Sequence, residues 1–261
     1  MKCFSLTVKG IGFWCSGIPN WEAACTFSRE GHCVQTPQRP IAELIAPNQR
    51  RRVPDNVAVA LNVASAACAS ADIDPACLPS IFTSSHGDQS IFDYMCTTLA
   101  QNSLTLSPTK FHHSVHNAAA GYWSIGARAR TATTALCAGP ASFAQGILDA
   151  YAQLVDGAPA VLLVGFDGQG TGPIGRVSPS RGLVGAALVL SDQPVDATQR
   201  LQIHWTQKVW TQSQAIGPLA RHCEGNASAA MLPLFDVLAG MQPQGWIPAG
   251  PTHSLQCVRC A

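Results

Sequence analysis

The spacing of apolar and polar residues changes several times along the chain, and each change predicts where one secondary-structure element ends and the next begins. Residues 4–8 alternate apolar and polar, which predicts an opening strand, and Gly10-Ile11-Gly12 is interpreted as the turn after it. Short buried strands are predicted over 131–136, which is rich in β-branched residues, and over 160–165, which is continuously apolar. Between them the apolar residues recur at helical spacing: Phe143, Ile147, Leu148, Tyr151 and Leu154.

The remaining segments extend this alternation of strands and helices. Further strands are predicted over 80–85, 183–190 and 200–206, with one short strand within 246–261, and further helices over 54–68, 90–100 and 233–238. Strands that alternate with helices indicate an α/β fold whose mainly parallel sheet is covered by helices. The pattern changes at Asp192, so we expect an α/β domain over 1–191 and a shorter C-terminal extension, 192–261, that packs on it.

Composition adds an expectation about the surface. Charged residues make up 12% of the chain, about half the usual share, and apolar residues make up 47%. So few charges favour a sizeable subunit interface, and an Ala-rich protein with a bland surface is the alternative. The net charge of +1 gives no general attraction to nucleic acid or anionic membrane, and no apolar run reaches the roughly 18 residues of a membrane span.

Eleven cysteines are scattered along the chain, and several lie in Ala-rich helical stretches. This odd number is more typical of free thiols in a reducing compartment than of disulfides, so we expect a cytoplasmic protein. Cys257 and Cys260 form a lone CxxC pair, and His112, His113 and His116 lie close together in the sequence. Neither group has further ligands at the spacing of a metal site, so we predict no metal and no cofactor.

Cys137 lies between the strand predicted over 131–136 and the helix that follows, where helix N-terminal amides would favour a thiolate. This stretch resembles the nucleophile region of the β-ketoacyl synthases, which are thiolase-fold condensing enzymes. The matching residues are Ser107-Pro108, Asn117, Ala118 to Ala120, Ser124-Ile125, Thr134-Ala135, Cys137 and Val161 to Gly165. The family's cysteine follows Thr-Ala directly, whereas Leu136 intervenes here.

A closer resemblance is to the small ketosynthase-like proteins that act as chain length factors in aryl polyene and xanthomonadin-type pigment pathways. It rests on the segments 48–52, 84–88 and 107–125, and it covers residues 1–191 well and the rest poorly. The resemblance implies a thiolase-like layered fold with one complete N-terminal half and a truncated second half.

The catalytic residues of the family are only partly present. A condensing enzyme carries the acyl group on a cysteine and uses two histidines, one in an HGTGT motif and one in a later GH motif. The nearest string here, GQGTG at 168–172, has no histidine, and His222 in HCEGNA matches the GH motif loosely. Cys137 and His222 are therefore the candidate catalytic residues; the alternatives are a packed apolar role for Cys137 and a surface turn for His222.

Two further groups of residues are candidates for contacts with partners. Arg50, Arg51 and Arg52 form a dense basic segment, which could attract an acidic acyl carrier protein or could lie in a solvated loop or a subunit contact. By resemblance, the helix after Asn117 lies near the subunit interface, where bulky side chains close the acyl tunnel. The candidates there are Phe111, Asn117, Tyr122 and Trp123, with core packing as the alternative for the aromatic residues.

These features predict a non-catalytic ketosynthase-like subunit, a chain length factor. It would form a heterodimer with a true β-ketoacyl synthase, receive substrates from acyl carrier protein and limit how far a polyene chain grows. One alternative is an active acyltransferase or ketosynthase that uses Cys137. Another is a homodimeric module that binds acyl carrier protein without reaction.

Overall fold

An eight-stranded sheet runs through the computed structural model, which describes residues 3–193, 199–211 and 217–260. The strands are β1 Cys3–Cys15, β2 Ser80–Thr83, β3 Thr133–Leu136, β4 Val161–Asp167, β5 Val184–Ser191, β6 Gln199–Thr206, β7 Gln244–Pro248 and β8 Ser254–Arg259. The helices are α1 Trp21–Glu30, α2 Asp55–Ala71, α3 Gln89–Gln101, α4 Pro108–His113, α5 Ala118–Gly126, α6 Ser142–Val155, α7 Gly172–Val177, α8 Pro218–His222 and α9 Leu232–Leu238. Within the described ranges, no helix is both long and apolar enough to cross a membrane.

The layered α/β prediction is confirmed, but the sheet is mixed and not mainly parallel. Its strand order is β3-β2-β4-β5-β1-β6-β8-β7. Among the described strands, β2 is parallel to β3 and to β4, and the other five pairings are antiparallel. Parallel neighbours need a crossover connection, which the helices α3 to α5 and then α6 provide. The connections from β4 to β5 and from β7 to β8 begin and end at the same end of the sheet, so the chain direction reverses.

Apolar cores cover both faces of the sheet, which explains the continuous apolar run in β4. Val161 and Leu163 belong to the core that contains α6, α8 and α9, whereas Leu162 and Val164 belong to the core that contains α2 and α5. All four side chains are fully buried. The prediction of a strand covered on both faces is therefore confirmed.

Gly10 and Gly12 lie inside β1, so their interpretation as a turn is wrong. A Cβ atom on Gly10 would overlap the carbonyl oxygen of Ala67, and one on Gly12 would overlap that of Val63. Helix α2 packs against the backbone of β1 at these two positions. Glycine is needed here for close approach of a helix to a strand and not for the geometry of a turn.

Beyond residue 193 the described chain adds three strands to the same sheet. β6 pairs with β1, and β8 lies between β6 and β7. We expected one short strand within 246–261, whereas the structure has two, β7 and β8. β7 starts earlier than expected and ends at Pro248, a residue that weakens a strand pattern. The division into 1–191 and 192–261 stays a prediction.

Candidate functional site

The carboxyl ends of β2, β3 and β4 lie side by side, because these three strands are parallel neighbours. Ser84 and Ser85 follow β2, Cys137 follows β3, and Asp167 is the last residue of β4. In open α/β sheets, ligands commonly bind outside the carboxyl ends of parallel strands. This end of the sheet is therefore the candidate functional site.

Asp167 organises the loops at this end of the sheet. It is 1% exposed, and its carboxylate accepts hydrogen bonds from Ser84 Oγ (2.6 Å), the Ser85 amide (2.9 Å) and Ser228 Oγ (2.6 Å). Asn226 Nδ2 also donates to the Asp167 carbonyl oxygen at 3.2 Å. A buried carboxylate needs such donors, so it holds the loop after β2 and the segment 226–228 in fixed positions. Asp167 is not among the predicted site residues, although a lone carboxyl group at the end of the apolar run 160–166 is a signal in the sequence that could have found it.

Cys137 is exposed at the end of β3, and its thiol donates to the carbonyl oxygen of Ser85 at 3.4 Å. Helix α6 begins at Ser142, whose Oγ accepts from the Ala138 amide (2.9 Å) and donates to the Gly139 carbonyl oxygen (2.6 Å). The order of strand, cysteine turn and helix is as predicted. The exposure of the thiol differs from the buried, apolar role considered as the alternative.

His222 has neighbours that differ from those of Cys137. It ends α8, where Nε2 donates to the Ser16 carbonyl oxygen at 2.9 Å and the ring packs on Phe27 with centroids 4.8 Å apart. Ser16 directly follows β1, and β1 is four strand positions from β3. At about 4.8 Å per strand, that places the two strand ends on the order of 19 Å apart. The structure therefore does not bring the two candidate catalytic residues together.

Two other histidines support the loop that follows β2. His116 Nε2 donates to the Ser84 carbonyl oxygen at 3.0 Å, and His86 Nε2 shares a hydrogen bond with Ser178 Oγ at 3.3 Å. Both imidazoles therefore connect the loop after β2 to neighbouring segments.

His113 is buried, and its Nε2 shares a 2.7 Å hydrogen bond with the Tyr122 hydroxyl. Burial, and then the neighbouring His112, lowers the pKa of His113. Burial also raises the pKa of Tyr122, so both groups are neutral near pH 7. Over the described ranges, no cluster of His, Cys, Asp and Glu side chains is arranged to hold a metal ion.

A sequence model of the β-ketoacyl synthase N-terminal domain matches residues 21–240, which is most of the chain. The chain belongs to the β-ketoacyl synthase family. The matched range includes β2, β3 and β4 with their carboxyl-terminal loops, Cys137 and His222. No curated protein matches the sequence.

Solved structures share the fold of this ketosynthase-family chain. The ketosynthase (ApeO) in complex with its chain length factor (ApeC) from Xenorhabdus doucetiae matches with a TM-score of 0.76 and 20% identity, covering 98% of this chain and 100% of that chain. The ishigamide ketosynthase/chain length factor matches with a TM-score of 0.72 and 11% identity, covering 98% and 99%. The AntDE:AntF complex, described as a type II PKS acyl-carrier protein in complex with its ketosynthase, matches with a TM-score of 0.71 and 12% identity, covering 100% of both chains. These likenesses confirm the thiolase-like ketosynthase fold.

The basic segment of this ketosynthase-family chain divides into one structural and two exposed arginines. Arg50 is half-buried, and its guanidinium donates to the carbonyl oxygens of Ile45 (2.7 Å) and Glu43 (3.0 Å). The side chains of Arg51 and Arg52 are exposed. Arg50 therefore holds the preceding loop, and its neighbours remain available for a partner.

The four predicted interface residues differ in exposure. Trp123 is fully buried and packs on Phe82 with ring centroids 6.1 Å apart, which favours the core-packing alternative for this residue. Tyr122 is half-buried, and its hydroxyl bonds to His113. Phe111 is 57% exposed, and Asn117 is exposed at the start of α5. Of the four, Phe111 and Asn117 are thus the residues that a partner could touch directly.

The segments between β2 and β3 carry several exposed apolar side chains. β3 is the terminal strand of the sheet and pairs only with β2 among the described strands. Helix α5 contacts β3, while α3 contacts α4 and the turn at 103–105. These elements carry exposed apolar side chains, which we call the α3–α5 surface: Phe92, Leu99, Leu104, Phe111, Val115 and Ile125. Leu104 is 93% exposed and Ile125 is 80% exposed, so this surface has no apolar cover from the described chain.

Proposed function

We propose that this chain is a non-catalytic ketosynthase-like subunit, a chain length factor, that acts by pairing with a catalytically complete β-ketoacyl synthase. The observation that carries the proposal is the environment of Cys137. Condensation requires a cysteine nucleophile together with donors that stabilise the developing enolate. Across the described ranges, the thiol donates to a carbonyl oxygen, and His222 bonds to Ser16 at a distant strand end. The partner would supply the complete set of cysteine and two histidines.

The partner would cover the α3–α5 surface and the free edge of β3. Unpaired strand edges and large apolar patches are features that stable monomers usually avoid. A partner strand added to β3 would satisfy its free amide and carbonyl groups, and the same contact would bury Leu104 and Ile125. Two of the solved structures with this fold are ketosynthases with chain length factors, which supports a heterodimer of this kind.

Within such a pair, this chain would limit the length of a growing polyene by closing the end of the acyl tunnel. Phe111 and Asn117 are the candidates for direct contact with the partner or the acyl chain, and Tyr122 and Trp123 would support them from behind. Arg51 and Arg52 would attract the acidic acyl carrier protein, while Arg50 maintains their loop. We place the pair in the cytoplasm, since all eleven cysteines are free thiols.

The heterodimer is tested by co-expressing the chain with a ketosynthase and measuring the mass of the purified complex by light scattering. Ile125→Arg introduces a charge at the proposed interface, so we expect it to weaken the complex at least tenfold. The matched control is Val155→Arg on α6, where the wild-type side chain is 66% exposed outside the α3–α5 surface. Equal complex formation by both variants would reject the proposed interface.

An active acyltransferase is the second candidate, for two reasons. Cys137 is exposed, and His116 donates to the carbonyl oxygen of Ser84, which directly precedes the residue that Cys137 contacts. Intact mass measurement after incubation with acyl carrier protein loaded with an acyl chain distinguishes the two functions. A stoichiometric adduct that is lost in Cys137→Ala would contradict the non-catalytic proposal. A stable homodimer that binds acyl carrier protein but no ketosynthase would instead support the binding module.

A further inference from the structure

Cys15 and Cys223 come together in the folded chain, although they lie far apart in the sequence. Cys15 is the last residue of β1, and Cys223 directly follows α8. Both side chains belong to the same apolar core, and their thiols share a hydrogen bond. The residues beside them are bonded as well, since His222 Nε2 donates to the Ser16 carbonyl oxygen at 2.9 Å. Two separate contacts therefore hold the two thiols side by side.

Both thiols can be reached from solvent through one cleft. Cys15 is 2% exposed and Cys223 is 7% exposed, so most of each side chain is covered by the core. Both residues nevertheless line an open cleft of about 200 Å³, together with Ser16 and His222. A water molecule occupies about 30 Å³ in the liquid, so the cleft has room for an oxidant as small as hydrogen peroxide.

The contact between the two thiols gives them different roles. The hydrogen bond with Cys223, and then burial, raises the pKa of Cys15, so Cys15 keeps its proton near pH 7. The Cys15 Sγ also lies 3.7 Å from the Ser16 carbonyl oxygen, which is a second acceptor for that proton. Cys223 is the more exposed of the two, so an oxidant in the cleft meets its sulfur first. Cys15 is then the adjacent thiol that can react with the oxidised sulfur.

A third cysteine lies close enough to compete with this pair. Cys33 is exposed, and its Sγ lies 3.3 Å from the position that a Cβ atom on Gly17 would take. His222 Nε2 lies 3.9 Å from the same position. Among the described residues, however, the lining of the cleft includes Cys15 and Cys223 but not Cys33. An experiment must therefore separate Cys33 from the other two.

We propose that Cys15 and Cys223 form an oxidation site, at which a hydroperoxide converts the two thiols into a reversible disulfide. The Cys223 thiolate attacks one oxygen of hydrogen peroxide, the O–O bond breaks, and a sulfenic acid forms while the other oxygen leaves as hydroxide. This hydroxide takes up the proton that Cys223 released. The Cys15 sulfur then attacks the Cys223 sulfur, and the departing hydroxide takes the Cys15 proton. In total the two thiols lose two electrons and two protons, and one hydrogen peroxide is reduced to two waters.

The disulfide joins the end of β1 to a segment that reaches the candidate functional site. The Asn226 amide donates to the Cys223 carbonyl oxygen at 3.0 Å, and Asn226 Nδ2 donates to the Asp167 carbonyl oxygen at 3.2 Å. Disulfides that form in a reducing compartment are usually transient and often sense oxidants. The oxidation site belongs to the isolated chain and does not depend on the proposed ketosynthase partner.

Peptide mapping of the full chain tests the proposal. The reduced chain is freed of reductant, treated with hydrogen peroxide at low protein concentration, and blocked with N-ethylmaleimide in denaturant. Trypsin and Glu-C together place Cys15, Cys33 and Cys223 on the separate peptides 10–22, 31–43 and 222–224. Mass spectrometry should find 10–22 linked to 222–224, and dithiothreitol should release both. Cys15→Ala should prevent the link and leave a sulfenic acid at Cys223 that dimedone traps.

Cys33→Ser is the matched control, because it removes the neighbouring thiol that does not line the cleft. The link between 10–22 and 222–224 should then form at a rate within twofold of the original chain. Recovery of both peptides unlinked, after the exposed Cys137 has been oxidised, would overturn the proposal, as would a link from either peptide to 31–43. Equal rates of linking in the folded chain and in urea would also overturn it, since the link would then not need the folded contact. Thermal unfolding of each variant verifies that it is folded.

Discussion

The buried carboxyl group of Asp236 should make the stability of this chain depend on pH. Asp236 lies on α9 and is fully buried, and its two oxygens accept from the amides of Leu219 (2.9 Å) and Ala220 (3.2 Å) at the start of α8. Burial raises the pKa of Asp236 from its ordinary 3.8 to about 6, although the two amide bonds and Arg221 oppose this change. The folded chain therefore holds this proton more tightly than the unfolded chain does.

The sign of the effect follows from this difference in proton affinity. A carboxyl group whose pKa is higher in the folded state stabilises the fold below pH 3.8, and the stabilisation is lost as pH rises through about 6. A difference of about 2.2 in pKa corresponds to about 3 kcal/mol at 1.36 kcal/mol for each unit. About 2 kcal/mol of this loss falls between roughly pH 4.5 and 7.5.

Asp236→Asn tests this reasoning, because the amide has nearly the same volume and cannot ionise. Urea unfolding of both proteins from pH 4.5 to 7.5 gives the difference in unfolding free energy at each pH. The variant should gain about 2 kcal/mol relative to the original chain as pH rises over this range. Asp156→Asn, at an exposed position after α6, is the matched control for the same chemical change outside the core. A constant difference for Asp236→Asn would refute the reasoning.

Three further predictions concern packing and titration. Trp123→Ala should destabilise the chain by about 3–5 kcal/mol in urea unfolding, because the whole indole is buried, and a loss below about 1 kcal/mol would contradict its core position. Gly12→Ala should lower the free energy of unfolding by about 3 kcal/mol, since its methyl group would overlap a backbone oxygen of α2. Gly121→Ala, on the open face of α5, should leave the free energy of unfolding unchanged or raise it by up to about 1 kcal/mol. The depressed pKa of His113 gives stability that is present above about pH 6.5 and is lost as pH falls through its folded value. His113→Gln should reduce this loss of stability at acidic pH in the same urea unfolding assay. An unchanged loss would exclude His113 as its source.

Local patterns in the sequence were sufficient to predict most of the elements near the site. The apolar run of β4 and the helical spacing of α6 bracket Cys137 correctly, because burial on both faces of a strand and on one face of a helix leaves distinct periods in the sequence. The same patterns misplaced β7, whose Pro248 interrupts the alternation. They also gave a turn at Gly10 and Gly12, where tertiary contact with α2 is what excludes a side chain.

The sequence by itself determined the alternation of strands and helices, the family and the position of the basic segment, because each depends on residues that are neighbours in the chain. Only the tertiary structure decided that Asp167 joins three segments, that Arg50 supports a loop and that His222 lies at another strand end from Cys137. These are contacts between residues far apart in the chain, and they depend on strand order and helix packing. Periodicity records which face of an element is buried, but it carries no information about which distant element covers that face.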